Sequence, residues 1–446
     1  MEIGHQLSLR PRIDASRTLA LAGGASALVL LFLALGMGLG RHPLPMPIVL
    51  GFGVGLLGTL ALALARFDAA VALGVLLLAA VRIEPAPSDL VFGVVIAVAF
   101  ASWRFDLQRV PLSIVLLVSA FLALNLLASI EVIDPGRALT YFAITLYLAV
   151  FGLWVAAYVN SARRARLILL AYLAAAAISA GLACLALVTA FPGSGAFVTG
   201  PRAQGLFKDP NVFGPFLVPA ALILMEELVA PRLLRLRLLS KFTLLSLVTM
   251  GVLFSFSRAA WLNLVVGTVV LFAVLALRRG GGRQAMTLLV CTLTAGAALF
   301  AAAAATSSVS FLEQRAALQV YDAQRFGAQL SGVQFATEYP LGVGPGQFER
   351  VSDISAHSTY VRALAEEGVV GMLVVLGLML LTLAFAARNA AGGFEGYGVG
   401  SAALFGAWCG LLANSFFVDT LHWRHLWLLA ALIWAATALR VRYPGR

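Results

Sequence analysis

The chain has 446 residues, 61% of them hydrophobic and 11% charged, with a formal net charge of +11. A soluble domain carries about 25% charged residues, so this composition leaves too little polar surface to cover a water-soluble fold. Apolar runs of about 17–25 residues recur along the chain, the length a membrane helix needs, and the fold class they define is an all-α polytopic membrane protein.

In chain order, residues 1–17 are polar and basic and precede a full-length apolar run with no small-residue cleavage site. They are expected to be a cytoplasmic N-terminal segment before a retained helix. Hydropathy places N-terminal transmembrane helices in 18–191, at 18–40, 44–65, 69–81, 89–103, 111–130, 138–159 and 166–191. A loop at 192–210 follows. Central spans at 211–230, 241–256, 259–277 and 285–305 fill 211–305. A long connection, 306–368, leads to C-terminal spans at 369–387, 397–417 and 425–440 within 369–440, and to a tail at 441–446. The count is fourteen, with twelve as the alternative. The thirteen-residue run 69–81 is the weakest and a candidate for a re-entrant segment.

Basic clusters at Arg163, Arg164 and Arg166, at Arg232, Arg235, Arg237 and Lys241, and at Arg278, Arg279 and Arg283 fall on one side of this pattern. Short basic loops stay cytoplasmic, so both termini are expected inside, and 192–210 and 306–368 outside. The basic charge then reflects membrane orientation, and no nucleic-acid partner is expected. Cys184, Cys291 and Cys409 lie inside apolar runs, which argues against a disulfide framework. No Cys/His metal spacing occurs, and no cofactor is expected.

Two outer segments carry the polar chemistry. The first, "PGSGAFVTGPRAQGLFKDP", holds Arg202 and Lys208. The second contains Phe311, Leu312, Leu318, Phe326, Leu330 and Phe335 at helical spacing, then the turn "LGVGPGQF", then "SAHSTYVRALAEEGVVG". It reads as a helical cap on the outer surface. Arg258, in "FSFSRAAW", adds a cation at a span end. Several arginines at one membrane surface suit a diphosphate headgroup. His357 is placed to open a helix, with Ser358 or Thr359 as N-cap. The positive helix end would keep its imidazole neutral, as a general base requires. Arg362 and Glu366 share a helix face at i,i+4 and read as a supporting pair. Glu366 and Glu367 are the reserve bases. His422 and His425, in "HWRH", have no motif support and are expected to tolerate alanine far better than His357. No Walker-type loop, D-x-D or H-E-x-x-H pattern occurs.

At these residues the chain resembles the O-antigen ligase and polymerase superfamily of bacterial envelope glycosyltransferases. The ligase-type pattern H-[NSQ]-x9-G-x-x-[GTY] is met by His357, Ser358, Gly368 and Gly371, and R-x3-L is met by Arg202 with Leu206 and by Arg258 with Leu262. The resemblance covers roughly 195–375, with Ser358 where many members have asparagine. It implies a metal-independent, GT-C-like helical fold in the bacterial inner membrane. It also implies transfer of a glycan from undecaprenyl diphosphate to lipid A core at the periplasmic face. His357 would be the base, and Arg202, Arg258 and Lys208 would bind the donor diphosphate. The alternatives are a polymerase acting on a lipid-linked acceptor, a lipid-linked oligosaccharide flippase, and an assembly subunit without activity.

Overall fold

The computed structural model describes residues 46–130, 132–278, 320–352, 354–391 and 401–442, with isolated positions between 281 and 296. The expected spans at 18–40 and 285–305, the segment 1–17, His5, His42, Phe311, Leu312 and Leu318 lie outside the described residues. The structure is mostly helical, 77%. In chain order the described helices are α1 Met46–Ala65, α2 Phe67–Leu76, α3 Pro87–Ala101, α4 Leu112–Ala128, α5 Pro135–Tyr158, α6 Ala162–Val188, α7 Pro210–Val229, α8 Leu238–Phe254, α9 Arg258–Leu277, α10 Val320–Glu338, α11 Phe348–Val351, α12 Thr359–Ala391, α13 Ser401–Asn414 and α14 Arg424–Arg442. Five of them, α5, α6, α7, α9 and α12, are long and apolar enough to cross a membrane. The chain is an all-α membrane protein.

Local chemistry sets the helix starts. Pro87, Pro135 and Pro210 occupy first-turn positions where the missing N–H is no loss. Asp134, Ser161, Asp209 and Ser257 cap α5, α6, α7 and α9 by accepting a backbone N–H. The fully buried layer holds Trp154, Trp427, Trp434, Phe92, Phe151 and Phe216. The α9–α13 seam is closed by small residues, because a Cβ at Gly406 would strike the Gly267 carbonyl and one at Gly410 would strike Asn263. Such approach of backbones is how membrane helices gain packing contact. It also sets the start of α9 beside the end of α13.

The connections sort into two groups at opposite ends of the bundle. At one end Lys208 pairs with Glu84, Arg137 with Glu349, Arg350 with Asp134, Arg362 with Asp419, and Arg424 with Asp89. At the other, Arg163 and Arg164 pair with Asp68, Lys241 with Glu227, and Arg278 with Glu226. The short run at 69–81 joins the two ends. Asp68 sits among the second group, whereas the Val81 N–H donates to Leu206 in the first at 3.0 Å. The segment crosses the bundle and does not turn back, and a 3-10 turn at Leu77–Ala79 lengthens its last stretch.

The helix expected to open at His357 runs on into the span expected from 369. α12 starts at Thr359 and runs 33 residues through a kink at Gly368, whose φ of 72° lies in the left-handed region. The kink removes the helical donors for the Ala365 and Glu366 carbonyls. Val343 and Gly344 N–H groups replace them at 2.8 and 2.9 Å. The turn 341–348 thus lies directly across the kink, and a Cβ on Gly342 or Gly368 would overlap the opposing backbone. In α10 the helical spacing is observed, but Phe326 and Leu330 are exposed. Its packed side is Gly332 against Val361 and Phe348, with Phe335 edge-on to Phe348 at 5.9 Å.

Candidate active site

The loop 192–209 contains a hairpin that its hydropathy did not announce. Val198–Thr199 pairs antiparallel with Arg202–Ala203 across Gly200-Pro201. Gly200 has φ +57°, and proline at the next position excludes type I′, leaving a II′-type turn. The Gln204 and Gly205 N–H groups both donate to the Phe197 carbonyl at 3.0 Å, and Leu206 N–H donates to Ser179 Oγ at 3.2 Å. The hairpin is therefore fastened to α6.

Its purpose in the fold is to hold Arg202. The guanidinium donates from Nε to the Ser255 carbonyl and from Nη2 to Asn211 Oδ1, both at 2.9 Å. Ser255 belongs to the turn "SFSR", so Arg202 is anchored three residues before Arg258, the first residue of α9. Both arginines are half-buried. The structure thus ties one R-x3-L arginine to the turn that precedes the other, 56 positions along the sequence. Lys208 turns elsewhere: it is exposed and pairs with Glu84 at 2.6 Å.

His357 is half-buried and has φ +45°, a left-handed conformation that histidine tolerates better than most side chains. Ser358 follows as the N-cap, its Oγ 3.5 Å from the Val361 N–H, and Thr359 N–H donates to the Ser415 carbonyl at 2.9 Å. Among the described residues the imidazole has no hydrogen-bond partner. Burial lowers its pKa from the ordinary value, and the Arg325 and Arg362 charges lower it further, against opposing contributions from Asp209 and Glu349. The neutral state expected from a helix end is reached mainly by burial and neighbouring cations. Asp209 caps the helix that carries Asn211, so His357 and the Arg202 anchor share one electrostatic neighbourhood.

Arg362 and Glu366 form a closed structural unit beneath this lip. Arg362 is 6% exposed. It reaches Glu366 at 2.9 Å, Asp419 and Ser355 at 3.0 Å, and Glu349 in a short pair. Glu366 accepts N–H groups from Gly346 and Phe348 at 2.9 and 3.2 Å. Glu366 and Glu367 are buried, so neither is placed to act as a reserve base. Of the three carboxylates that Arg362 meets, Glu349 and Asp419 keep side-chain exposure, at 23% and 18%. Sequence reasoning passed over both, along with Arg137 and Tyr141, and set His422 aside for want of a motif. Arg137 lies over the Tyr141 ring at 5.1 Å and bonds Glu349 at 2.8 Å. His422 bonds Thr145 at 3.0 Å. Arg137, Tyr141 and Thr145 recur at i,i+4 on α5, and that spacing was the available signal.

The two other C-terminal histidines are not neutral positions. His425 is buried, stacked on Trp423 at 5.0 Å and edge-on to Phe216 at 5.6 Å. Its truncation would open the core, contrary to the expected tolerance. Among the described residues no group of three or more His, Cys, Asp or Glu could hold a metal ion. In comparisons with known proteins, no family model and no curated protein matches the chain.

Proposed function

We propose that the chain is an inverting glycosyltransferase that moves a glycan from a polyprenyl diphosphate, undecaprenyl diphosphate in a bacterial inner membrane, to a sugar hydroxyl of lipid A core. The end of the bundle bearing His357 would face the periplasm, and both termini the cytoplasm. The observation that supports this reading is the Arg202–Ser255 anchor, which fixes Arg202 to the turn that precedes Arg258, at the end of the bundle that also holds a half-buried imidazole with no hydrogen-bond partner among the described residues.

In the proposed step, a ring nitrogen of His357 takes the acceptor hydroxyl proton as that oxygen bonds to the anomeric carbon. The bond from the anomeric carbon to the diphosphate oxygen breaks, and the polyprenyl diphosphate leaves with the electron pair. Arg202 and Arg258, at the N-terminus of α9, stabilise the charge that develops, an electrostatic contribution typically of a few kcal/mol. Lys208 lies in the same loop and assists only after exchanging Glu84 for the donor.

The test uses purified protein, a polyprenyl-diphosphate-linked glycan and a core acceptor, with release of polyprenyl diphosphate as the readout. His357→Ala should slow release about 10²–10⁴-fold with donor binding retained. Wild-type release should fall on acidification with a midpoint below the ordinary histidine value of about 6.5, since His357 is held below it. Release by His357→Ala within a few-fold of wild type would end the base assignment. Transfer to a lipid-linked repeat in place of core would identify a polymerase.

A further inference from the structure

The end of the bundle opposite His357 carries a feature the proposed reaction does not use. Residues 231–240, "PRLLRLRLLS", span the connection from α7 to α8 and the first residues of α8. Buried Glu227 fixes their backbone: Oε1 accepts the Arg232 and Leu233 N–H groups at 2.8 and 2.6 Å, and Oε2 accepts that of Leu234 at 3.0 Å. Lys241 Nζ donates to Oε2 at 3.0 Å and to the Glu227 carbonyl at 3.1 Å. A connection held this firmly presents its remaining side chains in fixed directions. Leu238 and Leu239 are 67% and 76% exposed, and Leu236 is also exposed. Arg235 and Arg237 are exposed between them and have no ion-pair partner among the described residues.

Alternating exposed leucines and arginines would be costly in water for the leucines and costly in hydrocarbon for the arginines. The headgroup layer suits both, because acyl chains receive the leucines and phosphates receive the guanidinium groups. The position agrees, since α7 ends at Val229 and α8 begins at Leu238, where the apolar helices meet their boundary. Trp103, 95% exposed at the same end, is the type of side chain that settles at that depth.

We infer that residues 231–240 form a docking site for anionic phospholipid headgroups, with Arg235 and Arg237 binding the phosphate and Leu236, Leu238 and Leu239 entering the leaflet. The site is independent of the proposed transferase chemistry.

Native mass spectrometry of the protein released from nanodiscs of equal phosphatidylglycerol and phosphatidylcholine tests it. Wild type should retain phosphatidylglycerol preferentially. The pair Arg235→Gln/Arg237→Gln, which leaves the Glu227 contacts intact, should retain it about tenfold less. The control pair Arg104→Gln/Arg109→Gln removes the same charge at the same end, where Arg104 covers Phe67 at 5.5 Å and Arg109 binds Asp106 at 3.0 Å. The control should retain the lipid as wild type does. Equal retention of the two lipids by wild type would overturn the inference, and so would an equal loss in the control, which would mean diffuse charge and no site.

Discussion

Replacing Arg362 with methionine tests whether the lip is held by its buried charge network. Arg362 contacts three carboxylates, Glu349, Glu366 and Asp419, and its side chain is 7% exposed. Without it, the remaining basic partners among the described residues are Arg137, which reaches only Glu349, and His422, 3.6 Å from Asp419. Breaking a single buried pair by removing one partner typically costs 3–5 kcal/mol. Backbone donors to Glu366 and the Leu421 N–H to Asp419 soften the loss, so about 3 kcal/mol is expected. Burial opposes ionisation of Asp419 and Glu349, but Arg362 outweighs it and holds both below the ordinary carboxylate range. A depressed pKa gives stability that is present above the unfolded value, about 4, and lost as pH falls through the folded value. This network therefore contributes a constant amount to the wild type between pH 8 and 5, and any slope there comes from groups such as His357, whose pKa is also depressed. In the variant the burial term remains without its counterweight, so acidification should stabilise the folded state. Chemical unfolding in detergent, followed by tryptophan fluorescence at pH 8 and pH 5, gives both numbers. A deficit under about 1 kcal/mol, or one equal at the two pH values, would refute the reasoning.

His357→Gly separates the side chain from its backbone: release of the left-handed strain should raise stability by about 1 kcal/mol while transfer is lost, which paired unfolding and transfer assays measure. Arg202→Lys can meet the Ser255 carbonyl or Asn211 but loses the planar fork. It should recover only part of the activity that Arg202→Ala removes, and full recovery would disprove a role for the fork. Gly368→Ala places a Cβ on the Pro340 carbonyl at a φ that alanine resists, so it should destabilise by about 2 kcal/mol or more, readable as a lower unfolding midpoint.

Apolar run length revealed most of the helices, because the bilayer sets one length for all of them. It ranked 69–81 as its weakest span, since a segment packed between α3 and α6 can be shorter than one facing lipid and still connect the two ends. It began the span at 369, apart from the helix expected to open at His357, because Thr359–Glu367 is polar in sequence yet buried in the fold, where Arg362 meets Glu349 and Asp419 from elsewhere in the chain. Arg202 and Arg258 were legible as cations against the expected charge bias, but the Ser255 carbonyl that unites them is a backbone atom and leaves no mark in composition. Glu349 and Asp419 were hidden for a related reason: their partner Arg362 lies 13 and 57 residues away, outside any local pattern. Glu366, by contrast, stood at a legible i,i+4 spacing and was overvalued as a reserve base because spacing does not report burial.

The backbone itself links the two halves of the candidate site. Three described non-glycine residues have positive φ, and two of them are Phe256 at +48° and His357 at +45°. Each directly precedes a serine N-cap, Ser257 or Ser358, and the helix that follows carries Arg258 or Arg362 in its first turn. A left-handed residue ahead of the cap reverses the chain sharply, so the next helix enters the bundle steeply and the turn stays at its rim. The reversal costs of order 1–3 kcal/mol at each position, and glycine would remove much of it. Retaining phenylalanine and histidine there requires that the surroundings fix the turns. Arg202 does so for the first by binding the Ser255 carbonyl, and the Ser415 carbonyl does so for the second by accepting the Thr359 N–H. Since α13 ends at Asn414 and packs along α9, the element that fixes the His357 turn is also the one that fixes the direction of the Arg258 helix. The proposed base His357 and the arginines are thereby positioned by a single seam, and a change at Gly406 or Gly410 should disturb both together.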